Sequence, residues 1–224
     1  MLLNLEVRTQ LKDIFSKELK EQVNLKLFSQ AIGCETCQVA EELLKELADV
    51  DPEKIKLEVY SPLIDREISQ KYGIDRVPTI VIEGDKDYGI RYIGLPAGLE
   101  FTTLVQGIVQ VSKREPKLSE RTVEMLKNID LPMEIMVFVT TSCGYCPSAA
   151  ITAMNFAMTN DNITALIVDA SENMDLAERF QVVGVPKIVI NRGLAEFVGA
   201  QPENNFLGYV ISAYEKLRRE NGQA

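Results

Sequence analysis

Cys34-Glu-Thr-Cys37 is the first of two CxxC motifs in this chain, and Cys143-Gly-Tyr-Cys146 is the second. An aromatic residue, a Val-Pro pair and an apolar run follow each motif: Tyr72-Gly-Ile-Asp-Arg-Val-Pro78-Thr-Ile-Val-Ile82 and Phe180-Gln-Val-Val-Gly-Val-Pro186-Lys-Ile-Val-Ile190. The first cysteines of the two motifs lie 109 residues apart, and the two prolines lie 108 residues apart. All four cysteines belong to this pattern, which indicates an internal duplication.

Further matches extend the repeat on both sides of each motif. They are Leu25–Phe28 with Ile135–Phe138, Arg91–Gly94 with Glu196–Gly199, and Phe101 with Phe206. The charged stretch Lys113-Arg-Glu-Pro-Lys117 lies between the copies and is typical of a linker. We therefore predict two domains, residues 1–115 and residues 116–224.

Apolar spacing predicts the same α/β order in both halves: helix, strand, helix, strand, helix, two strands, helix. In the first half, the strands are expected at 23–28, 55–60, 79–83 and 90–93. In the second half, they are expected at 134–139, 165–168, 187–191 and 196–198. Each CxxC motif then lies where a strand ends and a helix begins.

A cysteine at the start of a helix has a physical advantage as a nucleophile. Free backbone N–H groups and the helix dipole favour an anion there, which lowers the pKa of a thiol. The thiolate is the species that attacks a disulfide. We therefore predict that Cys34 and Cys143 are the nucleophiles, and that Cys37 and Cys146 resolve the mixed disulfide.

The Val77-Pro78 and Val185-Pro186 pairs are the second candidate feature of each site. A proline that opens a strand cannot donate a ladder hydrogen bond, so it marks a special position in a sheet. We predict that both pairs hold an extended substrate beside the sulfur atoms. Tyr145 is predicted to be exposed beside the second site, where its ring could pack on the substrate backbone.

Composition excludes several classes of function. The chain has 224 residues, no histidine and a formal net charge of −9. Histidine-based nucleophile pairs and HExxH zinc sites are therefore excluded. The acidic balance argues against nucleic acid or an anionic membrane surface as a partner. We expect neither a signal peptide nor a membrane-spanning segment, and the cytosol as the compartment.

Together, these motifs resemble the thioredoxin fold, whose members carry a cis-proline facing the CxxC motif. Two such units in one chain resemble the protein disulfide oxidoreductases of thermophilic archaea and bacteria, a glutaredoxin-like family related to protein disulfide isomerase. The resemblance implies two tandem thioredoxin-like domains, each a central mixed sheet flanked by helices. It also implies oxidation, reduction or isomerisation of protein disulfides through a mixed disulfide, with redox-active disulfides and neither a metal nor another cofactor.

The chain departs from the wider family at two points. A buried acid commonly lies six residues before the first cysteine, where this chain has Phe28 (or Leu27, allowing for an insertion) and Val137. Glu58 and Asp169, on the next strand of each half, are candidates to replace it.

The second departure is Glu35, which places a negative charge beside the Cys34 thiolate. Such a charge should raise the pKa of that thiol. Gly144 and Tyr145 add no charge to the second motif. We therefore predict that the second site is the more reactive and the more oxidising of the two.

Two alternatives remain open. The chain could carry electrons from a thioredoxin-reductase-type flavoprotein to a peroxiredoxin, since tandem thioredoxin units serve in that role. The two CxxC pairs could also bind one zinc ion through all four cysteines, as a scaffold without catalysis.

Overall fold

The computed structural model describes residues 2–222 and has the predicted element order in both halves. The first half contains α1 (Leu5–Glu18), β1 (Val23–Phe28), α2 (Cys37–Ala48), β2 (Ile55–Tyr60), α3 (Arg66–Lys71), β3 (Thr79–Glu83), β4 (Ile90–Ile93) and α4 (Glu100–Lys113). The second half contains α5 (Glu120–Lys127), β5 (Met133–Val139), α6 (Cys146–Thr159), β6 (Ile163–Asp169), α7 (Met174–Arg179), β7 (Lys187–Ile190), β8 (Ala195–Val198) and α8 (Glu203–Glu220).

All eight strands form one sheet, in the order β2-β1-β3-β4-β6-β5-β7-β8. The family resemblance implies a mixed sheet in each half, and the structure joins the two sheets through parallel pairing of β4 with β6. In this pairing, Ile90 lies opposite Ala165 and Ile93 lies opposite Val168. The duplication therefore builds one continuous sheet.

Strand directions place both CxxC motifs at one edge of this sheet. Strands β1, β2, β4, β5 and β6 run in the same direction, whereas β3 and β7 are antiparallel to their neighbours. We call the edge where β1, β4, β5 and β6 end the carboxyl edge. Four strand spacings separate β1 from β5, or about 19 Å.

One hydrophobic core runs through both halves on one face of the sheet, and two smaller clusters lie on the other face. The main core includes Leu25, Tyr92 and Ile167, so it crosses the junction between the halves. The smaller clusters lie under α3 and α7, around Phe28 and Phe138. Helices α4 and α6 pack against each other at the centre of the main core.

Candidate active site

The first CxxC motif forms a disulfide between Cys34 and Cys37. Cys37 is the first residue of α2 and is 1% exposed, whereas Cys34 precedes the helix and is partly exposed. A substrate can therefore reach only the first of the two sulfur atoms easily. This is the arrangement that a nucleophile and a resolving thiol require.

The second motif repeats this geometry with a disulfide between Cys143 and Cys146. Cys146 begins α6 and is fully buried, and Cys143 is partly exposed. Pro147 lies in the first turn of α6, where a helix does not need the missing N–H group. Tyr145 is 76% exposed between the two cysteines, as predicted.

Both predicted prolines lie at the carboxyl edge, beside the strand that leads to a CxxC motif. The Val77–Pro78 and Val185–Pro186 peptide bonds are both cis. The carbonyl of Pro78 accepts a hydrogen bond from the Gly94 N–H group, and the carbonyl of Pro186 accepts one from Gly199. The fold therefore places each Val-Pro pair beside the end of the strand that leads to its own CxxC motif.

The positions that hold a buried acid in the wider family are apolar and fully buried here, at Leu27, Phe28 and Val137. Of the two proposed replacements, Glu58 is unsuitable. Its carboxylate accepts hydrogen bonds from Lys26, at 2.5 Å, and from the Tyr60 hydroxyl, at 2.8 Å. The Lys26 ammonium holds the pKa of Glu58 below its usual range. A proton acceptor working near neutral pH needs a raised pKa, so the geometry does not favour this role for Glu58.

Asp169 ends β6 at the carboxyl edge and is 1% exposed. One of its carboxylate oxygens accepts hydrogen bonds from the N–H groups of Ser171, at 2.8 Å, and Glu172, at 3.2 Å. The side chain therefore shapes the loop that follows β6. Asp169 lies between the two disulfides along the edge, because β6 lies between β1 and β5 in the sheet.

Sequence reasoning missed a buried acid, Glu100, in the first turn of α4. The side chain is fully buried, and neither carboxylate oxygen has a hydrogen-bond partner within residues 2–222. Burial raises the pKa of Glu100 to about 7, the nearby Asp169 carboxylate adds to the rise, and the hydroxyls of Thr103 and Tyr92 oppose it. The signal was present in the sequence, because helical spacing aligns Glu100 with the buried Leu104 and Ile108.

Glu100 belongs to the first half of the chain, but its helix packs against α6, the helix that begins at Cys146 of the second disulfide. Helices α4 and α6 both begin at the carboxyl edge, and a Cβ atom added to Gly107 would lie 3.1 Å from the sulfur of Met154. Gly107 is seven residues after Glu100 and Met154 is eight residues after Cys146, so Glu100 and Cys146 lie at the same level. Glu100 is therefore a candidate acid for the second site.

The duplicated halves differ at this position. Phe101 corresponds to Phe206, so Asn205 takes the place of Glu100 in the second half. Asn205 is exposed and carries no charge. The buried acid of the first half therefore has no counterpart in the second half.

The geometry does not fit the alternative of one zinc ion bound by four cysteines. A zinc ion holds its sulfur ligands at about 2.3 Å, whereas the two cysteine pairs follow strands about 19 Å apart. Among the described residues, no group of three or more cysteine, aspartate or glutamate residues could hold a metal ion. Nor does the part of the chain that the structure describes contain a helix long and apolar enough to cross a lipid bilayer.

Comparisons with known proteins agree with this geometry. Residues 133–212 match a family model described as a thioredoxin domain. The structure of a protein disulfide oxidoreductase from Aeropyrum pernix is similar with a TM-score of 0.89 and 32% identity, covering 96% of this chain and 95% of that one. The alkyl hydroperoxide reductase AhpF of Enterococcus faecalis is similar with a TM-score of 0.83 and 26% identity, covering 94% of this chain and 100% of that one.

A curated relative, the F subunit of alkyl hydroperoxide reductase from Staphylococcus aureus, is 26% identical over 191 residues, which are 85% of this chain and 34% of that protein. This chain therefore spans about a third of the length of that relative. Fold and sites define a thiol–disulfide oxidoreductase built from tandem thioredoxin-like units with two CxxC disulfides. Within this class, the chain belongs to the protein disulfide oxidoreductases.

Proposed function

We propose that the protein exchanges its two CxxC disulfides with the thiols and disulfides of protein substrates. The observation that carries this proposal is a complete dithiol pair in each half, with one sulfur accessible and the other buried at a helix start. Oxidation, reduction and isomerisation of a substrate all follow from this one exchange chemistry.

In the reducing direction, the thiolate of Cys34 or Cys143 attacks a substrate disulfide. A mixed disulfide forms, and one substrate sulfur leaves as a thiolate. The thiolate of Cys37 or Cys146 then attacks the mixed disulfide and releases the second substrate sulfur. Two electrons pass from the CxxC pair to the substrate, and the CxxC pair becomes a disulfide. Oxidation of a substrate follows the same steps in reverse.

At the second site, we propose that Glu100 accepts the proton of the resolving thiol Cys146. Its raised pKa of about 7 is suitable, because a proton acceptor works best when its pKa lies near the working pH. Burial of the side chain supports the proposal, because it keeps the carboxyl group protonated up to a pH near neutral. Asp169 would act on this site indirectly, because its nearby carboxylate raises the pKa of Glu100.

The Val-Pro pairs are proposed to hold the substrate segment that flanks the reacting sulfur atom. Their place at the carboxyl edge, beside the strands that lead to Cys34 and Cys143, supports this role. Tyr145 would contact the same segment at the second site, because its ring is exposed between the two cysteines.

The domain boundary is proposed to lie between α4 and α5, near residue 115. Helix α4 ends at Lys113 and α5 begins at Glu120, so the connection lies in the charged stretch that the sequence indicates. The proposed domains are residues 1–115 and 116–224. The first residue of the first domain, Met1, and the last two of the second, 223–224, lie outside the described residues.

A second candidate function is electron transfer from a thioredoxin-reductase-type flavoprotein to a peroxiredoxin. Similarity to the F subunit of alkyl hydroperoxide reductase supports it. The cytosolic location predicted from the use of cysteine is compatible with either function and remains a prediction. A reconstituted assay with the flavoprotein, the peroxiredoxin and a peroxide separates the two functions. Only the carrier role makes peroxide turnover depend on this protein.

The main proposal is tested by insulin reduction and by reactivation of scrambled ribonuclease. We expect partial activity from Cys34→Ser and from Cys143→Ser, and none from the double variant. Loss of activity in Cys143→Ser alone would make the first site auxiliary. Undiminished activity in the variant with both Cys34→Ser and Cys143→Ser would contradict the proposal.

A further inference from the structure

Glu172 of the second half reaches across to the first CxxC motif. It lies in the loop after β6, three residues beyond the end of that strand. The hydroxyl of Thr36 donates a hydrogen bond of 2.5 Å to one of its carboxylate oxygens. The N–H group of Leu95 donates a hydrogen bond of 2.7 Å to the other. Both oxygens of Glu172 are therefore held by groups of the first half.

The position of this carboxylate is significant because Thr36 is the N-cap residue of α2. The Thr36 side chain makes no capping hydrogen bond to its own helix and instead binds Glu172. Free N–H groups at a helix start attract an anion, and this attraction would stabilise the Cys34 thiolate. A carboxylate bound to the N-cap side chain adds negative charge near this helix start and so disfavours a thiolate there.

Contacts of the loop after β6 fix Glu172 in its position near the start of α2. Asp169 accepts a hydrogen bond from the backbone N–H group of Glu172, which fixes the start of the loop. Gly94 has a φ of 117°, and a Cβ atom there would lie 2.8 Å from the Cβ atom of Asp169. The two halves therefore approach each other closely where the carboxylate crosses between them.

The second site has a different neighbourhood at the start of α6. Tyr145 takes the place of Thr36 as the N-cap residue, is 76% exposed and carries no charge. The first half contacts this loop through a neutral hydrogen bond of 2.8 Å from the Leu99 N–H group to the Thr141 carbonyl. Among the described residues, a carboxylate of the other half bound to the N-cap side chain is therefore found at the first site and not at the second. Glu35 adds a second acidic residue beside Cys34.

We propose that Glu172 is a positioning residue through which the second half of the chain restrains the reactivity of the first site. It orients Thr36 and opposes the negative charge of the Cys34 thiolate. This inference rests on the proposed function, because it takes Cys34 as the nucleophile. A smaller fraction of thiolate at neutral pH slows attack by Cys34 on a disulfide, so the second site reacts first with substrate.

The test is the pH profile of alkylation of the reduced full-length protein by iodoacetamide, with each cysteine read separately by peptide mass spectrometry. Glu172→Gln keeps the size of the side chain and removes its charge. We expect Cys34 to be alkylated about threefold faster near pH 7, equivalent to a shift of about half a pH unit in the profile. The Cys143 profile should not move. In 1 M salt, the effect should shrink, because the Debye length falls to about 3 Å.

Asp161→Asn is the matched control. Asp161 also crosses between the halves, in an ion pair with Lys86, but it precedes β6 and so lies at the opposite edge of the sheet. A general loosening of the junction would move the Cys34 profile in both variants, whereas the proposal requires a shift only in Glu172→Gln. An unchanged Cys34 profile in Glu172→Gln, or an equal shift in the control, overturns the inference.

Insulin reduction by the wild type and by Cys34→Ser separates this inference from the proposed function. If Cys34→Ser loses activity while Glu172→Gln keeps the wild-type profile, only the inference fails. If Cys34→Ser keeps full activity, Cys34 is not a working nucleophile and both fail at the first site. In the wild type, Cys143 should react at lower pH than Cys34, as the charge of Glu35 also predicts.

Discussion

At the residue scale, Glu100 makes stability depend on pH. Its pKa is about 7 in the folded protein, raised from the ordinary value of 4.5 chiefly by burial. Between these values, the folded state keeps a proton that the unfolded state has released. The contribution of Glu100 to stability is therefore complete below pH 4.5 and is lost as the pH rises through 7.

Glu100→Gln should remove this dependence, because glutamine has no charge to bury. The quantity to compare is the free energy of unfolding of the variant minus that of the wild type. We expect this difference to be on the order of 2–3 kcal/mol larger at pH 8 than at pH 4. Urea unfolding at both pH values measures the difference. Glu120→Gln, which makes the same change at an exposed position in the first turn of α5, is the control. An equal difference at both pH values would contradict the buried-acid interpretation.

The cysteines and the Val-Pro pairs can be recognised as candidate site residues from the sequence, because their spacing is the same within each half. Glu100 is harder to predict, because its surroundings include Asp169 and α6 of the other half of the chain. Glu172 is harder still, since a short polar loop carries no periodic pattern. For Glu58, the sequence correctly predicts a place on β2. It does not show that the Glu58 carboxylate binds Lys26, the contact that makes Glu58 a poor proton acceptor.

At the element scale, the segment between β4 and α4 depends on one close approach. Gly98 has a φ of 57°, and a Cβ atom there would lie 2.5 Å from the carbonyl oxygen of Thr141. Thr141 lies in the loop that precedes Cys143, so the glycine lets the first half reach the second site. Gly73 has a similar φ of 66°, and a Cβ atom there would have nothing within 4 Å.

This pair provides a matched test of the close approach. Gly73→Ala should cost about 1 kcal/mol, because alanine is strained in the left-handed region. Gly98→Ala should cost about 1–3 kcal/mol more, since the added methyl group also forces the backbone of the Thr141 loop to move. Urea unfolding of the two variants gives the difference. An equal loss of free energy of unfolding in both variants would mean that the Thr141 loop can move to accept the methyl group at no energetic cost.

The four strands of the first half have the predicted bounds, whereas those of the second half begin or end one or two residues away from them. The order of helices and strands in each half is confirmed. Alternating or continuous apolar runs bounded by Gly, Pro or charged residues identify strands well, as at Val23–Phe28 and Thr79–Glu83. The pairing of β4 with β6 could not be predicted in this way. The pairing joins segments more than 70 residues apart. The pattern of four apolar or buried residues in β4 predicts a strand, but not which strand pairs with it.

At the scale of the whole molecule, the shared core and the continuous sheet should make the two halves unfold together. Tyr92 of β4 and Ile167 of β6 lie opposite each other and belong to the same core. We expect a single urea transition by circular dichroism, with the amides of β4 and β6 exchanging with solvent only on global unfolding. Hydrogen exchange read by mass spectrometry measures this. Two separate transitions would mean that the junction opens before the halves unfold.

The parallel pairing of β4 with β6 also protects the chain from self-association. If each half formed a separate sheet, β4 and β6 would each present a row of unpaired backbone groups, which is a template for strand addition by another molecule. Joining the halves satisfies both rows at once and leaves β2 and β8 as the outer strands of the described sheet. Both outer strands carry features that discourage intermolecular pairing. Strand β2 exposes the charges of Lys56 and Glu58, and β8 is only four residues long with Glu196 exposed. A duplication that placed the two catalytic motifs on one edge thus also halved the number of aggregation-prone strands.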